Sequence, residues 1–448
     1  MKKKVFKAVL SIAVITGSFF SQAQERRVIF GKPISNEYIN PNTGKIQCIS
    51  YQYSEYLQEQ NRENSVFKEP QKQAKAQGTN EIYVVPVVVH VIHNGEAVGV
   101  GKNISDARVL SQITVLNEDY RKVFGTAGYS TNPLGVDTEI EFCLAQVDPL
   151  GNTTTGINRV DLGNYTWDES NVESILKPLT QWDPTKYFNI WVCEFGGDLD
   201  EVLGYAQFPS NSTLEGIPSW GGNASTDGVI IDWRCFGRNT EAPGIYFWGY
   251  DKGRTTTHEV GHALGLRHIW GDNNSCTVNT TDTFQDYCPD TPPHAGANYS
   301  CSAAWYTICS GYTPMPENYM DYGSDNCLNT FTPNQKTRMR TVLENATRRA
   351  SLLTSNVCQA SASTDKFGLG MISMYPNPAN EVINLFIPDN YKLAGKIIIY
   401  NTLGQTVFSS DISETNSYSI DVSNFQAGVY FIKINRENQS KTLQFIKK

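Results

Sequence analysis

The eleven residues His258-Glu259-Val260-Gly261-His262-Ala263-Leu264-Gly265-Leu266-Arg267-His268 constrain the local fold more tightly than any other part of the chain. Side chains four apart on a helix stand one above the other, so His258 and His262 aim at one point and Glu259 lies beside them. Gly265 can take the left-handed backbone that ends a helix, and the turn brings His268 round as a third imidazole. Three of the chain's six histidines therefore converge on one ion. Three nitrogen ligands with an open fourth position suit catalytic zinc, and a water there becomes acidic enough to react near neutral pH, with Glu259 placed to take its proton. By chance, five specified residues at these offsets would occur in fewer than about one chain in 10^5.

The N-terminus has the shape of an export signal: Met1-Lys2-Lys3-Lys4, an apolar run from Val5 to Phe20, then Ser21-Gln22-Ala23 before Gln24. It is too short for a membrane anchor, and no later run is long enough to span a bilayer, so the mature protein is expected without a transmembrane segment. Ten cysteines, five of them between Cys276 and Cys327, fit an oxidising compartment. The net charge of −8 argues against a nucleic-acid partner. With 448 residues the chain has room for two or three domains.

The expected organisation is a signal peptide over 1–23, a polar prosegment over 24–80, a catalytic domain over 81–358, a linker over 359–370 and a β-sandwich over 371–448. The prosegment is rich in Gln, Glu, Lys and Asn and reads as extended, with apolar residues gathered only from Tyr51 to Leu57. Order begins at the β-branched run Ile82 to Ile92, a buried strand. A helix follows with Ser105 as its cap and Val109, Ile113, Leu116 and Tyr120 on one face. Ile140 to Leu144, Phe188 to Val192 and Val229 to Ile231 read as strands, and Thr255 to Thr257 supply caps for the histidine helix. Trp270 to Phe331 is loop-like and needs staples; Gln335 to Leu353 is helical again. The small polar stretch from Gln359 to Gly370 marks a boundary. Beyond it, Glu381 to Pro388, Lys396 to Tyr400, Ser417 to Val422, Gly428 to Ile434 and Thr442 to Ile446 are short strands of a sandwich.

The long histidine motif resembles the signature of the metzincin metallopeptidases, and Glu317-Asn-Tyr-Met-Asp-Tyr322 looks like their Met-turn. Phe188 to Val192, Leu203 to Pro209, Asp227 to Ile231 and Asp290-Thr-Pro292 narrow the resemblance to the pappalysin family over residues 82–350. The resemblance implies an α/β metzincin domain, a twisted sheet plus the zinc helix, with an irregular disulfide-stapled subdomain. The implied activity is that of a secreted zinc endopeptidase acting on extended protein or peptide substrates. Met320 is the implied floor beneath the metal and Tyr322 the donor to the oxyanion. Val229 to Ile231 is the implied edge strand that pairs with substrate. Crossed bridges Cys276–Cys309 and Cys301–Cys327 are implied as well. Cys143, Cys193, Cys235, Cys288 and Cys358 stay unpaired by spacing alone. Asp282, Asp286 and Asp290 are candidate calcium ligands in the loop after the zinc helix.

Cys48, in Ile46-Gln-Cys-Ile-Ser50, resembles the prosegment cysteine of latent bacterial relatives, whose thiolate fills the open zinc position, although Gln47 and Ile49 depart from the usual flanking Arg and Gly. Tyr375 to Ala379, Tyr400 to Gly404, Gly428 to Phe431 and the Lys447-Lys448 end resemble the sorting domain of type IX secretion substrates. That implies passage through this machinery to the outside or surface of a Gram-negative bacterium. His90, His93 and His294 are read as bystanders. The rival reading is a surface adhesin that keeps the metal for structure. It leaves Glu259 without a task, and structural zinc sites are normally closed by a fourth protein ligand.

Overall fold

A computed structural model describes residues 27–63, 81–272, 276, 286–302, 309–359, 372–386, 393–415, 417–436 and 439–448. The export signal, most of the linker and Asp282 lie outside them. The chain forms two compact units, residues 1–360 and 361–448.

In the first unit the order is β1 (Val28–Ile29), β2 (Lys32–Pro33), α1 (Ser50–Glu63), β3 (Tyr83–His93), α2 (Asp106–Tyr120), β4 (Ile140–Leu144) and β5 (Ile157–Asp161). Then come α3 (Glu169–Asn171), a π turn at Val172–Leu176, α4 (Lys177–Thr180), β6 (Phe188–Cys193), β7 (Gly204–Ala206) and β8 (Gly228–Asp232). Helices α5 (Arg254–Ala263), α6 (Pro333–Asn345) and α7 (Arg349–Leu352) complete it. The sheet order is β4-β3-β6-β8-β7, with β5 also on β3; all pairs are parallel except β7 on β8. A parallel strand is covered on both faces, which is why β3 and β8 are nearly continuous runs of Val and Ile. Pro86, which has no N–H to give, stands on β3 just before the pairing with β6 begins at Val87.

Several expectations need correction here. Val229 to Ile231 is not the edge strand, because β8 lies between β6 and β7; the edge is the three-residue Gly204–Ala206, too short to show a strand pattern. Nor do Thr255 to Thr257 cap the histidine helix. Gly253, at φ 80°, stands at its N-cap, and the threonines are buried inside the helix, where Thr257 donates to Asp119 at 2.7 Å and Thr256 to Gln112 at 3.0 Å. Ser105, by contrast, does accept from the Arg108 N–H at the start of α2. The predicted helix from Gln335 to Leu353 is two helices, separated by Arg348 at φ 69°.

The segment 27–63 is not extended. It folds onto the catalytic body with Ile29, Phe30, Ile46, Cys48, Ile49 and Tyr53 in the same core as the sheet. Its polar composition hid this, since most of the covering surface comes from the catalytic body. Among the described residues between Ala263 and Pro333 there is no helix or strand, and disulfides join Cys276 to Cys309 and Cys301 to Cys327. A third joins Cys143 on β4 to Cys358 across 215 residues. Cross-linking so long a loop restricts the unfolded chain, and a Cys143→Ser, Cys358→Ser pair is expected to lower unfolding stability by about 2–4 kcal/mol in a denaturant titration.

The second unit is all β: β9 (Ser373–Tyr375), β10 (Val382–Phe386), β11 (Leu393–Asn401), β12 (Thr406–Thr415), β13 (Ser417–Asp421), β14 (Gly428–Arg436) and β15 (Gln439–Lys447). They form antiparallel sheets in the orders β13-β10-β9 and β12-β11-β14-β15. Ile383, Leu385, Ile397, Ile399, Ile432, Ile434 and Phe445 fill the core. Strands β9 and β12 escape a sequence reading because β9 is short and β12 carries Ser, Asp and Thr at most positions.

Candidate active site

Helix α5 presents His258 and His262 on one face, and Gly265, at φ 89°, turns the chain so that His268 meets them. A Cβ at Gly265 would stand 2.7 Å from Val342 Cγ2, so close approach and backbone sign both call for glycine. The three Nε2 atoms lie 3.0, 3.1 and 3.2 Å apart. Each ring is oriented by its other nitrogen. His258 Nδ1 donates to the Tyr319 carbonyl at 2.7 Å, His262 Nδ1 to the Leu266 carbonyl at 2.8 Å, and His268 Nδ1 to Asp272 Oδ1 at 2.5 Å. A carbonyl can only accept, so for His258 and His262 the proton sits on Nδ1 and the Nε2 lone pair faces the others. Burial, followed by the neighbouring His268, depresses His258 to about 3 and holds His262 well below its usual value. Buried imidazoles whose lone pairs converge repel one another unless a cation lies among them, and three nitrogens of this kind are the donor set a borderline-soft divalent metal takes. The residues therefore fit a metal ion. Cys48 Sγ completes a buried group of four ligand atoms within 4.8 Å of one another. Burial and the Glu259 carboxylate raise the Cys48 thiol well above its ordinary value, so a thiolate there also calls for a cation.

Met320 is fully buried and packs under α5: a Cβ on Gly261 would come within 2.6 Å of its sulfur. Glu259 is fully buried, and burial pushes its carboxyl up to about 8 against the pull of hydrogen bonds from Ser50 and Cys48. Ser50 Oγ donates to Glu259 Oε2 at 2.8 Å and accepts from the Ala206 N–H of the edge strand at 2.8 Å. Cys48 Sγ is 3.4 Å from the same carboxylate oxygen. The Tyr322 hydroxyl donates to the Cys48 carbonyl at 3.0 Å, and burial holds that phenol well above its usual value, so it remains a donor.

The sequence-predicted residues His258, Glu259, His262, His268, Met320, Tyr322 and Cys48 thus come together. Asp286 and Asp290 do not join them. Asp286 accepts from the Cys288 N–H at 2.9 Å and from Thr291 at 2.7 Å, and Asp290 from Thr332 and the Asn334 N–H at the start of α6, both at 2.7 Å. His90 is buried against Trp191 and paired with Asn189, His93 accepts from the Gly95 N–H, and His294 lies 3.8 Å from Asp321. None of the three is in the metal-binding group. Sequence reading missed Asp272, whose position four beyond His268 was the available signal. It also missed Trp270, stacked on His268 at 4.4 Å, and Ser50, for which no signal exists.

Residues 244–344 match the family described as pregnancy-associated plasma protein-A, and 373–448 match the secretion system C-terminal sorting domain. An extracellular metalloprotease of Colletotrichum graminicola is 30% identical over 259 residues, 57% of this chain and 74% of its own. Mature mirolysin of Tannerella forsythia in complex with a cleaved peptide is 39% identical, with a TM-score of 0.50 over 62% of this chain and 97% of that one. The chain belongs to the pappalysin family of metalloproteases. Within the family, promirolysin of Tannerella forsythia is also similar, at 37% identity and a TM-score of 0.50, covering 62% of this chain and 85% of that one. The protein is accordingly a secreted or cell-surface metalloendopeptidase with a metzincin catalytic domain and a type IX sorting domain. No helix of the described residues is long and apolar enough to cross a membrane.

Proposed function

We propose that the protein is a zinc-dependent endopeptidase made as a zymogen, with His258, His262 and His268 as its metal ligands and Glu259 as its general base. The observation that carries this reading is the convergence of three buried Nε2 atoms with the Cys48 sulfur, which itself lies 3.4 Å from Glu259 Oε2. Zinc bound there would supply Lewis-acid polarisation of the scissile carbonyl and a lowered pKa for the attacking water. Glu259 accepts the proton of that water as its oxygen attacks the carbonyl carbon, and then gives it to the departing amine nitrogen. Tyr322 donates its O–H to the carbonyl oxygen as negative charge develops; its present bond to the Cys48 carbonyl supports this, since the acceptor is already a peptide oxygen at the metal group. Met320 keeps the floor apolar. The edge strand Gly204–Ala206 offers its backbone to extended substrate, in the manner of an added strand. The cleaved peptide on mature mirolysin supports protein or peptide substrates.

Latency is part of the same reading. Segment 24–80 acts as a prosegment, Cys48 fills the fourth ligand position and Ser50 occupies the base, so a substrate cannot enter until the segment is cut away. Residues 359–370 link the catalytic domain, 81–358, to the sorting domain, 371–448, which directs export from a Gram-negative cell. Calcium in the loop after the zinc helix is the lesser part of the proposal, because Asp286 and Asp290 already spend oxygens on turns and on the start of α6. The adhesin reading is set aside by the family. In the processed enzyme, Tyr322→Phe is expected to lower kcat by about a hundredfold to a thousandfold with KM and metal content nearly unchanged, the scale of one lost oxyanion donor. Wild-type kcat in that variant would remove Tyr322 from the mechanism.

A further inference from the structure

Tyr53 stands three residues beyond Ser50, on the first turn of α1, and is fully buried. Its ring centroid lies 5.1 Å from that of Tyr205, and Lys177 Nζ is 4.9 Å over its face. Its hydroxyl donates to Glu173 Oε2 and lies 3.5 Å from Gln207 Oε1. Phe30 of the same segment packs on its ring at 4.8 Å and would leave with it; the remaining walls belong to the catalytic body and are held independently of it. Lys177 Nζ and the Tyr205 hydroxyl both donate to Glu173 Oε1, at 2.5 and 2.7 Å, and Thr226 donates to Gln207 at 2.7 Å. Glu173 Oε2 is left for the incoming phenol. Tyr205 and Gln207 flank Ala206, whose N–H is held by the same Ser50 hydroxyl that reaches Glu259. The hollow therefore sits on the edge strand next to the reacting position.

Lys177 already balances the charge of Glu173, so the hollow suits a neutral donor better than another cation, and its ammonium and Tyr205 favour an aromatic face. We propose that in the processed enzyme this hollow is a subsite for a tyrosine side chain of the substrate, with Glu173 Oε2 as its acceptor. The inference rests on the reading that the prosegment leaves the cleft. A phenylalanine would fill the same space and leave a largely buried carboxylate oxygen without its donor, which is how a polar subsite discriminates.

The test uses processed wild-type enzyme and peptides identical except at one position, scanned to either side of the cleaved bond, carrying Tyr, Phe, 4-methoxyphenylalanine or Ala. At one position kcat/KM is expected to be about tenfold higher for Tyr than for Phe, the scale of one hydrogen bond to a charged group, with the methoxy analogue no better than Phe. In Glu173→Gln, Lys177 and Tyr205 keep the amide oxygen and turn its NH2 towards the hollow. The Tyr advantage should then shrink and the methoxy analogue, an acceptor, should gain. If that variant fails to fold, the wild-type series alone decides. Equal hydrolysis of the Tyr and Phe peptides at every position overturns the subsite and leaves the endopeptidase reading standing; hydrolysis of no peptide overturns both.

Discussion

Glu259→Gln in the processed enzyme is expected to reduce peptide hydrolysis about a thousandfold while the metal stays bound. Glutamine keeps the length and planarity of the side chain but cannot accept a proton from water, so the loss is that of general-base catalysis, which falls within about 10^2- to 10^4-fold. The histidine shell does not depend on Glu259. Each ring is oriented by the Tyr319 carbonyl, the Leu266 carbonyl or Asp272, and none by this carboxylate. Metal content and kcat measured on the same preparation separate the two functions. Undiminished proteolysis would sink the assigned base; loss of metal together with activity would mean that Glu259 shapes the site instead of acting in it.

The second large effect concerns latency. Cys48→Ala in the unprocessed chain is expected to raise peptidase activity at least about tenfold over the intact wild-type zymogen, and to speed conversion to the processed form, because the fourth ligand position opens to water. Activation should stop short of the processed enzyme, since Ser50 still engages Glu259 and the edge strand, and Tyr53 and Ile46 still hold the segment down. Peptide hydrolysis followed before any cleavage is visible on a gel reads this directly. A Cys48→Ala zymogen no more active than wild type at that time removes the thiol from the latch.

What the sequence reveals and what it hides divide along physical lines. The proposed metal ligands are legible because chemistry demands side chains at fixed helical offsets, and Gly265 is legible because only glycine fits a left-handed turn packed against Val342. Tyr322 and Met320 are not legible from their own surroundings, since a buried Tyr or Met is ordinarily core; only family resemblance points to them. The docked form of segment 27–63 could not be read, because Ile46, Cys48 and Tyr53 gain their burial from residues far along the chain such as Val202, Glu259 and Tyr205. The edge strand was misplaced for a related reason. A strand of three residues carries too little pattern, while the Val-Ile run of β8, buried on both faces, advertises itself. The pairing of Cys143 with Cys358 spans 215 residues, and spacing holds no information over such a distance.

Whether three histidines hold one catalytic zinc is read by native mass spectrometry and peptide hydrolysis on a single sample of processed enzyme, before and after stripping with a chelator and again after zinc is returned. Hydrolysis is expected to disappear with the ion and to return with it, and His262→Ala is expected neither to hold the ion nor to recover. Full hydrolysis by the stripped enzyme, or full activity of His262→Ala, would contradict this.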